Sequence, residues 1–264
     1  MRVTVLGKSP SWQDVDGACS GYLVEVGETR LLLDCGNGVF GKLRRFCDYV
    51  RVNAVVISHL HADHFLDLVP YAYALILAPR QQPVPVPPWP GQENPVRPAL
   101  HAPPGATETF RRVVGAWGGE GLIESAFELA EYEPSEELVI GDARLRFHAM
   151  PHFAPTYAIE VSATDGGGRF VYGADCSPNE ELVEFARDAD LLLIEATLPR
   201  PERTGVRGHL TPAEAGEHGS RAGVRQLVLT HISDELDEDW ARSEAEAAYG
   251  SAVSVAREGD VYEV

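Results

Sequence analysis

The sequence predicts an α/β protein arranged as a four-layer αββα sandwich, two β-sheets face to face with helices outside both. Three observations lead there. Short β-rich runs recur along all 264 residues, with helical patterns between them. Two of the runs, Leu31-Leu32-Leu33 and Leu191-Leu192-Leu193-Ile194, are apolar on both phases of a strand, which suits strands buried on both faces. Each half of the chain contributes strands and then helices to cover them, as expected for two β-rich halves packed together.

The elements follow in order. Strands are expected at 2–6, 21–26, 30–34, 53–58, 137–148, 156–163, 169–173, 190–195, 226–230 and 251–256, from alternation or continuous apolar character. Helices are expected at 39–50, 65–77, 107–117, 178–188, 212–222 and 238–248. The helix at 212 has a defined start, because Thr211-Pro212-Ala213-Glu214 offers an N-cap Thr, Pro at the first turn and Glu three positions on, a capping box. Ser177 is the expected cap of the helix at 178. No linker interrupts the chain, so one domain is expected over 1–264. Residues 79–98 hold eight prolines and Trp89, which excludes a regular helix or central strand there. That segment is expected to be a semi-rigid surface loop; the functional alternative is a lid beside an active site or an oligomer contact.

Composition narrows the function. At 44% hydrophobic and 23% charged the chain is ordinary globular protein, not disordered. No apolar run approaches the roughly 18–20 residues that cross a bilayer, and the N-terminus reads as a strand, not a leader. The four cysteines lie far apart with no C-x-x-C pair, which argues against a disulfide scaffold and for the cytoplasm. A net charge of −18 repels polyphosphate unless a basic patch intervenes. The short run Lys42-Leu43-Arg44-Arg45 reads as a solvated helix face.

Chemistry concentrates at one point. The buried strand ending in Val56-Ile57-Ser58 runs into His59-Leu60-His61-Ala62-Asp63-His64, three His and one Asp within six residues. His59 and His61 point the same way in an extended turn, and Asp63 and His64 open the next helix. Imidazole and carboxylate together suit zinc or another first-row metal. Three further metal-binding residue types, His152, Asp175 and His231, each follow a strand, and Asp34 sits in the turn Leu33-Asp34-Cys35-Gly36.

This ordered set resembles the metallo-β-lactamase superfamily over about residues 1–235. The resemblance implies the αββα fold and two divalent metal ions held at one edge of the sandwich, zinc first, with manganese or iron as alternatives. One ion would be held by His59, His61 and His152, the other by Asp63, His64 and His231. Asp175 would bridge them, together with a shared water or hydroxide that attacks the substrate. Asp34 would support the turn rather than bind metal. His101, His148 and His218 fall outside the motifs and read as structural or solvated.

Glu195-Ala196-Thr197, followed fourteen residues after Glu195 by His209-Leu210-Thr211, resembles the ribonuclease Z-like phosphodiesterase branch. There a His that binds no metal assists the phosphate and an acid orients it. This implies His209 and Glu195 as catalytic residues, with Asp63 a rival proton donor. A His beside a helix N-terminus is also physically suited to a phosphoryl oxygen. Bacterial ribonuclease Z enzymes carry a basic tRNA-gripping arm between the motifs represented here by His152 and Asp175. Here 22 residues separate the two, enough for two strands and a turn at 165–168. The compact phosphodiesterase-like members are the better match, with small, cyclic nucleotide-like phosphodiesters as substrates. Cyclic phosphodiesterases associated with carbon–phosphorus lyase are also similar, but they carry a Cys-containing structural zinc site that has no counterpart here. A lactonase or thioesterase with the same metals is the main alternative, followed by tRNA 3′ processing. A scaffold protein that had kept only the fold would be expected to have lost ligands. The expected partner is a small molecule, not an extended nucleic acid or a membrane, and the resemblance suggests a homodimer. The substrate's leaving group is expected under the 79–98 loop, where Trp89 would stack on it.

Overall fold

Leu31 and Leu33 face one core while Leu32 faces another, and the same alternation separates Leu191 and Leu193 from Leu192 and Ile194. Both runs therefore lie in the middle layers of the molecule. The computed structural model describes residues 1–202 and 204–264. The first half forms β1 (Arg2–Gly7), β2 (Gly21–Val26), β3 (Thr29–Leu33), α1 (Val39–Phe46), β4 (Ala54–Val56), α2 (Ala62–Phe65), α3 (Leu68–Leu77), β5 (Ala99–Ala102), α4 (Ala106–Gly115), α5 (Leu122–Ala126) and β6 (Glu128–Glu131). The second half forms β7 (Leu138–Ile140), β8 (Ala143–Met150), β9 (Thr156–Ala163), β10 (Arg169–Tyr172), α6 (Glu180–Phe185), β11 (Leu191–Glu195), α7 (Pro212–Ala222), β12 (Gln226–Thr230), α8 (Glu238–Tyr249), β13 (Ser254–Val255) and β14 (Val261–Glu263).

Two seven-stranded sheets result, ordered β14-β1-β2-β3-β4-β5-β6 and β13-β12-β11-β10-β9-β8-β7. The last strand crosses back to pair with β1, Arg2 opposite Glu263. Val5, Val24, Leu31 and Leu33 meet Leu145, Ile159, Phe170 and Leu193 between the sheets. Leu43, Tyr71, Phe110 and Ile123 cover the outer face of the first sheet, around Leu32 and Val55. Leu182, Ala215 and Ala245 cover the second, around Leu192 and Leu229. These three apolar layers make the αββα sandwich, and truncating any one of the buried leucines would cost about 2–5 kcal/mol.

Direction places the site. Strands β3, β4, β5 and β6 run parallel to one another. So do β10, β11 and β12, and β8 shares their direction because both β8 and β10 are antiparallel to β9. The segments that follow β3, β4, β8, β10, β11 and β12 therefore emerge along one edge. A bridge between His59 and Thr156 ties the two sheets there.

Several expectations need correction. The run at 137–148 is a hairpin, β7 and β8, turning at Gly141-Asp142. The 53–58 strand stops at Val56, because Ser58 leaves the ladder to donate its N–H to Asp34 Oδ1 at 2.7 Å. The cap of α6 is Asn179, which accepts from Leu182 N at 2.7 Å, not Ser177. The capping box of Thr211 and Glu214 forms as expected. The proline-rich segment is not a lid. It joins the end of α3 to the start of β5, and β5 pairs with β4 in parallel from Ala54 opposite Ala99. Its place is thus the edge opposite the one where β4 delivers His59. There Arg80 lies between the rings of Tyr49, 5.4 Å away, and Trp89, 4.6 Å away. It also pairs with both oxygens of Asp48. Among the described residues no helix is long and apolar enough to cross a membrane.

Candidate metal centre

Every expected ligand residue except Asp63 and His64 lies in a segment just beyond a strand, and those two lie in the first turn of α2, which follows His61 directly. The turn after β3 is shaped to receive α2. Cys35 N donates to the His64 carbonyl at 2.7 Å. Gly36 packs so closely on α2 that a Cβ there would overlap the Asp63 carbonyl oxygen. Among the described residues, three of the five non-glycine residues with positive φ border the site, Asp34 at 56°, Ala174 at 51° and His231 at 49°. Such backbone costs about 1 kcal/mol or more per residue and is held only where the surroundings fix it.

Seven side chains converge in two groups. His59, His61, His152 and Asp175 offer ligand atoms that all lie within 4.8 Å of one another, and so do Asp63, His64, Asp175 and His231. His61 Nδ1 is 3.1 Å from both His59 Nε2 and His152 Nε2. In the second group His231 Nε2 is 3.3 Å from Asp63 Oδ2, and His64 Nε2 is 3.5 Å from it. One atom, Asp175 Oδ2, serves both groups, 3.8 Å from His59 and His152 and 3.4 Å from His64 and His231.

Buried partners set the imidazole orientations. His152 Nδ1–H donates to the Gly208 carbonyl at 2.8 Å. His64 Nδ1–H donates to Asp34 Oδ2 at 2.7 Å, an oxygen that also accepts from Ser58 Oγ and the Tyr172 hydroxyl. His231 Nδ1–H donates to Thr197 Oγ1 at 2.8 Å, and Thr197 donates to Glu195 Oε2 at 2.7 Å. Each arrangement turns the Nε2 lone pair inward. Hydrogen bonds of this kind fix ligand tautomers around metal ions. Asp34 is thus an acceptor behind His64. Ser58, Tyr172 and Gly208 are supporting groups with no spacing pattern that reveals them in the sequence, and Thr197 lies in the Glu195-Ala196-Thr197 motif, which by itself assigns the hydroxyl no role.

Electrostatics point the same way. Burial holds the His59, His61 and His152 imidazoles below their ordinary pKa, in the neutral form that binds metal. Burial would do the same to His64, but the Asp175 and Asp34 carboxylates outweigh it and raise its pKa. Burial alone would raise the Asp175 carboxyl, yet His231 and His64 hold it well below the carboxylate range. His64 Nε2 and Asp175 Oδ1 are buried without a hydrogen-bond partner, a cost of about 1–3 kcal/mol each when uncompensated. A cation among these donors would relieve it. The residues present therefore fit divalent ions, with a nitrogen-rich group at one position and a mixed nitrogen and oxygen group at the other.

His209 and Glu195 meet beside these groups. His209 Nδ1–H donates to Glu195 Oε1 at 2.9 Å. The His209 ring lies 5.0 Å from that of His152 and 5.5 Å from that of His231, centre to centre. Burial opposes the charged imidazole, but the hydrogen bond and charge of Glu195 prevail and hold its pKa up at about 9. Glu195 is buried at the end of β11 and also accepts from the backbone N–H groups of Cys176 and Leu210. His101, His148 and His218 stand elsewhere. His148 pairs with Glu181, and His218 joins α7 to the cap of α6 through Asn179 N.

Comparison with known proteins agrees with this architecture. A model of the β-lactamase superfamily domain matches residues 29–232. The chain is 30% identical over 263 residues to "Probable metallo-hydrolase YhfI" of Bacillus subtilis, covering 100% of both chains. The crystal structure of that protein superposes with a TM-score of 0.84, covering 99% of each chain. A "Ribonuclease Z" of Halorubrum lacusprofundi is 30% identical, over 100% of this chain and 97% of that protein. A diphosphatase of the PhnP family, 19% identical, shares the fold with a TM-score of 0.70 over 100% of this chain and 97% of its own.

Proposed function

This chain belongs to the β-lactamase superfamily, in its metal-dependent hydrolase lineage, and from that premise we propose that it hydrolyses small phosphodiesters of the cyclic nucleotide type. His59, His61 and His152 would hold one divalent ion and Asp63, His64 and His231 the other, with Asp175 between them. Zinc suits the donor set, and manganese or iron are the alternatives. Bound there, two such ions supply an activated water and neutralise charge on the phosphoryl oxygens.

The protein's own contribution centres on His209. With Nδ1–H engaged by Glu195, Nε2 is the atom left to face a substrate, as a donor to a phosphoryl oxygen or as the proton source for the leaving alkoxide. Asp63 is the competing proton donor. Glu195 orients the ring and balances its charge, while Thr197 and Gly208 hold the imidazoles of His231 and His152 in register. The observation that carries the proposal is this sixth imidazole, outside both ligand groups and with its own buried carboxylate, 5.0 Å and 5.5 Å from one ring of each group. A phosphodiester is an anion before and during reaction and gains from a fixed cation. The carbonyl of a lactone or thioester is neutral at the start and gains less. Relatives named ribonuclease Z support phosphodiester chemistry in general. The net charge of −18, and the short β9–β10 hairpin between His152 and Asp175, favour a small substrate over an RNA. Cytoplasmic location rests on four free, dispersed cysteines, and homodimer formation on family likeness alone.

The deciding experiment is turnover of bis(p-nitrophenyl) phosphate by protein loaded with zinc or manganese. Saturable hydrolysis abolished by chelator is expected, with His209→Ala losing on the order of 10²-fold or more but losing little against a lactone. No phosphodiester turnover with both metals bound, alongside lactone or thioester cleavage, overturns the reading.

A further inference from the structure

Phe153 is a large aromatic side chain that nothing in the proposed chemistry uses, and it stands at the mouth of the site. It directly follows His152, and its ring centre lies 5.0 Å from the His152 ring and 5.9 Å from the His209 ring. It remains 55% exposed. Its position is nonetheless fixed. One edge of the ring, Cδ2, Cε2 and Cζ, rests on Gly208 so closely that a Cβ at 208 would overlap it. The carbonyl of that same Gly208 holds His152 Nδ1–H. A single residue thus sets both the ligand imidazole and the exposed ring, so the ring is in register with the metal groups. Burial does not explain an aromatic ring held this way, since more than half of its surface still faces water.

We propose that Phe153 is a specificity-determining platform on which a planar, ring-bearing substituent of the substrate, a nucleobase in the first instance, stacks while the phosphoryl group lies between His209 and the two ligand groups. The inference rests on the phosphodiester reading and deepens it by naming the residue that recognises the substituent. A phosphate seated against His209 leaves its ester substituent to cross the mouth beside Phe153, since the His209 and Phe153 rings adjoin. One sugar ring is the spacer between phosphorus and base in a nucleotide, and the His209 and Phe153 ring centres are 5.9 Å apart. Stacking tolerates any base, since every base has a π-face. The site should therefore prefer nucleotides to base-free phosphates without strong selection among bases.

The test is binding to the metal-loaded protein, read by calorimetry with two probes that differ only in the base, AMP and ribose 5-phosphate. Wild type is expected to bind AMP on the order of 10-fold more tightly. Phe153→Ala and Phe153→Leu should bring that ratio near unity, and Phe153→Trp should preserve it. The exposed position makes all three variants compatible with folding, and the Trp variant separates loss of a π-face from loss of bulk. A ratio near unity in the wild type, or one retained in Phe153→Ala, overturns the platform whatever the enzyme hydrolyses. Absence of phosphodiester turnover sinks the broader reading separately, because the AMP preference is measured without catalysis.

Discussion

The imidazoles of His209 and His231 stack with their planes 18° from parallel and their centres 5.5 Å apart, and a single carboxylate governs both. Glu195 accepts a hydrogen bond from His209 Nδ1–H on Oε1 and, through the Thr197 hydroxyl, reaches His231 on Oε2. The residue that keeps one ring cationic therefore also orients a ring that belongs to the second ligand group.

Replacing Glu195 with Gln should uncouple the two. In the metal-free protein the His209 imidazole is expected to titrate near 9. It is charged below that pH and loses its charge above it. Gln removes the negative partner, destabilises the imidazolium and moves the midpoint down, an effect visible by NMR of the ring protons. In the metal-loaded enzyme the alkaline limb of kcat/KM should shift to lower pH, with activity at pH 8 down about 10- to 100-fold. An unmoved His209 midpoint would show that Glu195 does not set the charge.

Asp175 and His152 should differ in metal stoichiometry. Asp175 Oδ2 faces both groups, whereas His152 belongs to one. Asp175→Ala is expected to leave fewer than one tight ion per chain and His152→Ala about one, by elemental analysis after dialysis. Metal at 100-fold over Kd should stabilise the wild type by about 2.7 kcal/mol, raising Tm by several degrees. Chelator should reverse that gain, and Asp175→Ala should show almost none of it.

Asp34 is a buried acceptor for four donors, Ser58 N–H, Ser58 Oγ–H, His64 Nδ1–H and the Tyr172 hydroxyl. Asn tolerates positive φ and preserves one acceptor oxygen. Asp34→Asn is therefore expected to fold yet bind the ion at His64 about 10- to 100-fold more weakly, measured by chelator competition. Asp34→Ala leaves several buried donors without partners at about 1–3 kcal/mol each and should lower the denaturant midpoint markedly.

The fold and the site were legible to different depths. The layering could be read because Leu31–Leu33 and Leu191–Ile194 need apolar neighbours on both faces, which only a middle layer provides. The residues that converge could be read where they follow strands or lie within six positions, as His59 to His64 do. Strands β5, β6 and β14 were not expected. Glu128–Glu131 and Val261–Glu263 are short edge strands with largely exposed side chains, so neither alternation nor apolar runs mark them. Thr197 and Gly208 act through one hydroxyl and one carbonyl, and the partners they hold are distant in the chain. Which edge a loop occupies depends on whether its flanking strand is parallel, and composition carries no record of that.

Trp89 puts that last distinction to experiment. A tryptophan in a proline-rich loop invites a role above the substrate, but its ring lies 4.6 Å from the Arg80 guanidinium at the edge opposite His59. There the Arg80–Asp48 pair and Tyr49 complete a surface cluster. Trp89→Ala removes one face of that cation–π contact, worth about 0.5–1 kcal/mol at an exposed position, and should lower Tm by a few degrees at most. Because no residue of the cluster belongs to either ligand group, KM and kcat for a phosphodiester are expected to stay within about twofold of wild type. A KM rise of 10-fold or more, with both ions still bound, would return the loop to the active site. It would also mean that a second copy of the chain carries it there, since within one chain β5 starts at the far edge.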